Sequence, residues 1–153
     1  MFCAFAEVVE KADDQIVVID TAPTGHTLLL LESTQSYNHE IQRTKGEIPA
    51  SVARLLPRLK SSETEVLIVT LPEATPVYEA LRLENDLKRA GIAAKWWIVN
   101  QSLYGTKTTN PMLAAKAAGE VEWLNRVDEH ADGNFALIAW NAGEIRGERL
   151  LAL

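Results

Sequence analysis

The sequence predicts an α/β protein with a parallel β-sheet covered by helices, and three observations support this. Four short runs have the β-branched and apolar character of buried parallel strands: "IVVI" (16–19), "VLIVT" (66–70), "WWIVN" (96–100) and "FALIAW" (135–140). Helical patterns separate these runs, and such alternation is typical of crossovers between parallel strands. No repeat, low-complexity tract or linker divides the chain, so residues 1–153 are interpreted as a single domain.

The clearest helix is predicted over residues 75–90. Thr75 can cap it, Pro76 suits the first helical position, and Gly91 lies where a left-handed residue would end it. Its apolar face comprises Val77, Ala80, Leu83, Leu87 and Ala90.

Further helices are predicted at 37–44, at 51–60 and from Pro111 to about Asp128. The buried face of the last one comprises Leu113, Ala117, Val121 and Leu124. On the helix over residues 75–90, Glu84 and Lys88 are predicted to form an ion pair on the solvent side.

Composition narrows the function classes. The net charge of −6 and the absence of a Lys/Arg cluster argue against nucleic acid as a partner, because phosphate backbones are bound by clustered cations. A lone cysteine, Cys3, cannot form an internal disulfide, and the apolar runs are too short to cross a bilayer. These features predict a cytoplasmic protein.

Each predicted strand is followed by a polar turn. The turns read "DTAPTGHT" (20–27), "LPEATP" (71–76), "NQSLYGT" (100–106) and "NAGEIRGE" (141–148). Parallel strands bring their carboxyl ends to one edge of the sheet, which is where ligands bind in such folds. The sequence therefore predicts a site built from these turns.

Residues in the turns have chemical roles that position alone leaves open. Asp20 could hold the water shell of a Mg²⁺ ion, as in phosphoryl transfer, or could cap the next turn. Gly25 would let backbone amides approach a phosphate, or would only complete the turn. His26 is a candidate soft-metal ligand or switch residue, although a solvated histidine is commoner. Asn100 suits a purine edge but could equally serve its own turn.

The four tryptophans are interpreted as core and shelf residues rather than as a base-stacking set. The phosphate-binding pattern G-x-x-x-x-G-K-[ST] does not occur in the sequence. "YGTKTT" (104–109) imitates its end but places Thr106 between Gly105 and Lys107, so it is interpreted as a loop.

Longer motifs add a resemblance to a known family. "DTAPTGHTLLLL" (20–31) is similar to the switch II signature of the arsenical pump-driving ATPase (ArsA) family, and the similarity continues through 66–92, 96–103 and 110–127. The resemblance implies the C-terminal part of an ATPase half with a deviant-Walker P-loop NTPase fold. It also implies that ATP binding and hydrolysis with Mg²⁺ are coupled to arsenite or antimonite delivery to a membrane efflux pump.

The resemblance also implies roles for individual residues. Asp20 corresponds to the acid that faces Mg²⁺ through water, and Thr24 and Gly25 belong with it to the catalytic segment that moves with nucleotide state. His26 falls at a histidine that helps bind the metalloid.

The resemblance assigns nucleotide contacts to later segments as well. Asn100 matches the family's adenine-contacting asparagine, with Gln101 beside it, and the loop 141–147 would fold over the base. The family's usual proline after the last strand is replaced around Ala139 and Trp140, which departs from its base-covering loop.

The family's P-loop would precede Met1. The chain is therefore expected to be inactive alone and to need an N-terminal P-loop segment as its partner. The pump subunit, a metalloid chaperone and a second copy of the chain are further candidate partners, the last through a sheet edge left uncovered. Association with the pump would place the protein at the periphery of the membrane.

Two alternatives remain. One is a noncatalytic interaction module that keeps the fold, and the other is a fragment of a tail-anchored-protein targeting ATPase. The targeting branch typically carries a zinc-binding CxxC after the Asn-Gln loop and a Met-rich subdomain. Residues 101–120 contain no cysteine and the chain has two methionines, which favours the pump-driving branch.

Overall fold

The structure, a computed structural model, describes residues 7–20 and 50–143. The chain separates into two compact units. Within the described residues, the first unit comprises 7–20, 50–65 and 85–93, and the second comprises 66–84 and 94–143. The interpretation of residues 1–153 as one domain stays a prediction.

The first unit contains helix α1 (Ala50–Leu59), as predicted for residues 51–60. Residues 7–10 are helical and continue into a 3₁₀ turn at Lys11–Asp13. Arg58 joins this turn to α1, because its Nη1 lies 2.6 Å from Asp13 Oδ1. The helix expected at 37–44 lies outside the described residues.

The predicted strand at 16–19 is wrong. Residues 16–20 form neither helix nor strand, and the side chains of Ile16 and Val18 are 95% and 89% exposed. A strand exists only where its backbone groups pair with a neighbouring strand. The described part of the chain provides no such partner for this segment, so its β-branched composition is not sufficient.

The second unit contains a parallel sheet of three described strands, in the order β1 (Val66–Thr70), β2 (Ala94–Ser102) and β3 (Phe135–Ala139). These strands agree with three of the predicted runs, and the α/β fold class is confirmed. One face of the sheet is buried, with Ile68, Trp97 and Val99 at most 2% exposed. On the other face Leu67, Val69 and Trp96 are 51%, 60% and 48% exposed.

Helix α2 (Ala74–Arg89) follows β1 and ends near Gly91, whose φ of +75° is the left-handed conformation expected there. The assignment of Thr75 as its cap is wrong. The amide of Val77 donates to the carbonyl of Glu73 at 3.1 Å, so the helix begins before Thr75.

The predicted solvent-side position of Glu84 on α2 is also wrong. Glu84 is 3% exposed, and its Oε2 lies 3.5 Å from His130 Nδ1 on helix α3 (Pro111–Ala131). The two helices contact each other along this side. Glu84 therefore faces a neighbouring helix, although its charge led to the prediction that it is exposed to solvent.

Helix α3 begins at Pro111, as the sequence predicts, and the structure adds Asn110 as its cap. The Asn110 side chain accepts hydrogen bonds from Met112 N at 3.0 Å and Leu113 N at 3.3 Å. The helix packs against β2 and β3, and its buried side chains are Ala117, Glu120, Leu124, Val127 and Ala131.

Two expected core positions on α3 differ from the structure. Leu113 is 37% exposed and Val121 is partly exposed. The buried face follows a stripe that includes Glu120, and this moves the apolar residues Leu113 and Val121 to its margins. Among the described residues, no helix combines the length and hydropathy needed to cross a bilayer.

Candidate functional site

The segments that follow the three strands of the second unit meet at the carboxyl edge of the sheet. Together with α3 they enclose a cavity of about 290 Å³. Its apolar lining comprises Leu71, Pro72, Leu103, Leu113 and Trp140, and its polar lining comprises Glu73, Gln101, Lys116 and Glu120. The sequence predicted a site at this edge. Two of the four predicted turns, 71–76 and 100–106, contribute residues to the cavity, and Trp140 directly precedes a third.

A β-bulge at the end of β2 contributes to the lining of this cavity. Val99 pairs with Leu137 and Ser102 with Ala139, so β2 contains one residue more than β3 over this stretch. Gln101, within the bulge, has a φ of +57°, a backbone conformation that residues other than glycine rarely adopt. Bulges of this kind are common next to binding sites, where they redirect a side chain, and here Gln101 lines the cavity.

Asn100 stabilises the bulge. Its Oδ1 accepts a hydrogen bond from the amide of Gln101 at 3.0 Å. This is the local role that the sequence left open for Asn100. Its predicted contact with adenine, and that of Gln101, stay predictions.

Glu120 organises the loop after β2, and the sequence analysis missed it. Its side chain is buried and accepts hydrogen bonds from Ser102 Oγ at 2.8 Å, Leu103 N at 3.1 Å and Tyr104 N at 3.0 Å. A carboxylate that accepts from several backbone amides satisfies groups that would otherwise be buried without partners. Glu120 therefore fixes the first residues of this loop to α3.

The same loop is packed closely against β3. A Cβ on Gly105 would lie 3.2 Å from the Cβ of Ala139, so the loop approaches the strand more closely than larger residues allow. The amide of Trp140 donates to the carbonyl of Ser102 at 2.9 Å. The ends of β2 and β3 are thus joined directly at the cavity.

The charges around the cavity distinguish between parts of a nucleotide. Lys116 Nζ lies 3.2 Å from Glu73 Oε1, and Glu120 adds a second carboxylate. Two acids and one paired cation disfavour a phosphate group, whereas apolar walls and a side-chain amide suit a neutral aromatic ring. The residues present fit a nucleobase and not a triphosphate.

The position of the other predicted site residues relative to this cavity stays a prediction. Asp20 belongs to the first unit and is exposed, and Thr24, Gly25 and His26 lie outside the described residues. Across residues 7–20 and 50–143, no group of three or more His, Cys, Asp or Glu side chains could hold a metal. The assignments of Mg²⁺ to Asp20 and of a metalloid to His26 stay predictions.

Comparison with known proteins gives the family. Residues 1–61 and 52–152 match the profile of the Anion-transporting ATPase family. Together these two ranges span nearly the whole chain. The chain belongs to this family. The resemblance read from the switch II motif and its continuation is confirmed.

Individual members of the family agree with this assignment. An arsenical pump-driving ATPase of Escherichia coli is 42% identical over 96% of this chain, and one of Acidiphilium multivorum is 43% identical over 96%. The ATPase GET3C of Arabidopsis thaliana is 28% identical over 65% of the chain. The chain spans about a quarter of the length of the two bacterial relatives, 25% in each case.

Proposed function

We propose that the chain is the base-binding part of an ATPase that couples ATP binding and hydrolysis to the delivery of arsenite or antimonite to a membrane efflux pump. The observation that carries the proposal is 42% identity to an arsenical pump-driving ATPase over 96% of the chain. Identity at this level across the base-binding and switch II motifs favours a shared activity in the complete protein. The chain would act in the cytoplasm, at the membrane only through the pump.

The geometry of the cavity supports the base-binding role. It lies at the carboxyl edge of a parallel sheet, where α/β proteins of this kind bind nucleotides. Its volume of about 290 Å³ is at the lower end of small-molecule sites, which suits a base with the sugar and phosphates outside. The two carboxylates and the paired lysine around the cavity also favour a neutral base inside it and the phosphates outside it.

The phosphates and Mg²⁺ would depend on other parts of the site. Bound Mg²⁺ would neutralise charge that develops on the phosphate oxygens. Asp20 would orient the water shell of that ion, and an N-terminal P-loop segment would supply amides and a lysine to the phosphates. That segment, the pump subunit and a metalloid chaperone are the partners of the proposal.

The proposal is tested by completing the chain. Fusion of the P-loop segment of the Escherichia coli relative to this chain should restore hydrolysis of ATP with Mg²⁺, with stimulation by antimonite. Phosphate release is the measurement. A folded fusion that binds ATP but hydrolyses it no faster than a P-loop lysine variant would contradict the proposal.

Within that fusion, Asp20→Asn should lower turnover roughly 100-fold while ATP affinity changes little, because the lost charge acts on the metal and the hydrolytic geometry and not on the base. Asp14→Asn, at another exposed acid of the same unit, is the matched control and should leave turnover unchanged. Equal losses of turnover and affinity in Asp20→Asn would remove the metal role from Asp20.

A further inference from the structure

We propose that Trp140 provides the surface on which the nucleobase stacks. The inference rests on the proposed function for the presence of a nucleotide. It makes a separate claim about which side chain of this chain contacts the base and about the chemistry of that contact.

The position of Trp140 meets the requirements of a stacking surface. Its side chain lines the cavity and is 45% exposed, so a large part of the indole is open to a ligand. Its amide donates to the carbonyl of Ser102 at 2.9 Å, and the Ser102 hydroxyl in turn donates to Glu120 at 2.8 Å. An anchored backbone limits the positions that the ring can occupy, which lowers the entropy lost when a ligand binds against it.

The rest of the cavity selects a neutral heteroaromatic ring. Leu71, Pro72 and Leu103 provide apolar contacts, and Gln101 provides both a donor and an acceptor for the polar edge of such a ring. Glu73 and Glu120 repel anionic groups, and Lys116 is engaged by Glu73. A purine satisfies all of these conditions, because it combines a flat apolar face with a polar edge and carries no charge.

The other described tryptophans do not share this position. Trp97 is 1% exposed and belongs to the core, and Trp123 packs edge-on against Tyr78 with ring centroids 5.7 Å apart. Trp96 is 48% exposed but does not line the cavity. Of the four tryptophans, all of which are described, Trp140 is thus the one that lines the cavity.

Intrinsic fluorescence of the 153-residue chain tests the inference. Stacked purines quench indole emission, so adenosine should quench part of the emission saturably in the millimolar range. ATP should act at a similar concentration, because the cavity does not hold its phosphates. Trp140→Phe should abolish the saturable quenching yet keep adenosine binding, measured by line broadening of the adenosine H8 and H2 resonances, because a phenyl ring still stacks.

Two further variants separate stacking from bulk. Trp140→Leu keeps apolar volume but removes the aromatic face, and it should weaken adenosine binding roughly 5- to 100-fold, the range expected for one base–aromatic stack. Trp96→Phe removes a tryptophan of similar exposure outside the cavity and should retain both binding and saturable quenching.

The inference is overturned if adenosine up to its solubility limit produces no saturable quenching of the unmodified chain. It is also overturned if Trp140→Leu binds adenosine as well as the unmodified chain does. These outcomes are distinct from failure of the proposed function. That failure would appear as adenosine binding that depends on Trp140 in a completed fusion that does not hydrolyse ATP.

Discussion

At the scale of single residues, the shape of the candidate site depends on one buried carboxylate. It belongs to a helix and holds a loop that lies well before that helix residue in the sequence. Glu120, on α3, accepts hydrogen bonds from the hydroxyl of Ser102 and from the amides of Leu103 and Tyr104. Ser102 also accepts from the amide of Trp140 through its carbonyl. One buried side chain thus connects α3, the loop after β2 and the residue after β3.

Glu120→Gln should therefore destabilise the protein. An amide nitrogen would replace one carboxylate oxygen and would face a donor, so at least one buried hydrogen bond is lost and the remaining ones lose their charge. The expected cost is about 1–3 kcal/mol in the free energy of unfolding, measured by urea titration. Glu122→Gln, at an exposed glutamate of the same helix, should change it by less than about 0.5 kcal/mol. Equal effects of the two substitutions would contradict the structural role of Glu120.

Residues such as Glu120 and Glu84 show where sequence reasoning failed. Both are acids in amphipathic helices, and a charged residue is expected on the exposed face, because burial of a charge requires partners. Those partners come from other elements: loop amides for Glu120, and His130 of α3 for Glu84. Helical spacing carries no information about such distant partners, so the burial of these two residues was not predictable from one sequence.

At the scale of elements, the strands and helices predicted best were those marked by a short sequence pattern of their own, such as a β-branched run or a proline at a helix start. The runs at 66–70 and 135–140 and the helix start at Pro111 lie close to where the structure has strands or a helix start. The run at 16–19 had the same composition and is no strand. Composition indicates which segments can pair in a sheet, whereas the presence of a pairing partner is a property of the whole fold.

Replacement of glycine by alanine should change the free energy of unfolding in opposite directions at the end of one helix and in the interior of another. Gly91 has a φ of +75°, so Gly91→Ala should destabilise the protein by about 1–2 kcal/mol. Gly119 lies within α3, and a Cβ there would meet no atom within 4 Å. Gly119→Ala should stabilise the protein by about 0.5–1 kcal/mol, because alanine favours helix over glycine. Urea unfolding of both variants measures the difference, and the same sign for both would contradict these backbone assignments.

At the scale of the whole molecule, the edge of the sheet was predicted more reliably than the chemistry on it. The alternation of strands and helices located the cavity at the carboxyl ends of β1, β2 and β3, and Gln101 from the resemblance lines it. Asp20 lies in the other unit, and Thr24, Gly25 and His26 are outside the described residues. Trp140, Glu73 and Lys116 were not predicted because their convergence depends on the packing of α3 against the sheet.

Under the proposed function, this chain provides a base site and another segment holds the phosphates. The sequence contains no P-loop pattern, and in this fold class the P-loop amides and lysine provide most of the affinity for ATP. A base stacked on Trp140 and a few hydrogen bonds contribute only a few kcal/mol, against the cost of immobilising a nucleotide. The affinity of the chain for ATP should therefore be low.

Calorimetry of the purified 153-residue chain with Mg²⁺ and ATP tests this claim most directly. A dissociation constant of about 1 mM already corresponds to about 4 kcal/mol of binding free energy, and the expected result is binding no tighter than this, with no phosphate release above background. Addition of a P-loop segment should restore both affinity and hydrolysis if the two pieces associate. Micromolar binding of ATP, or steady phosphate release without any added segment, would contradict the claim.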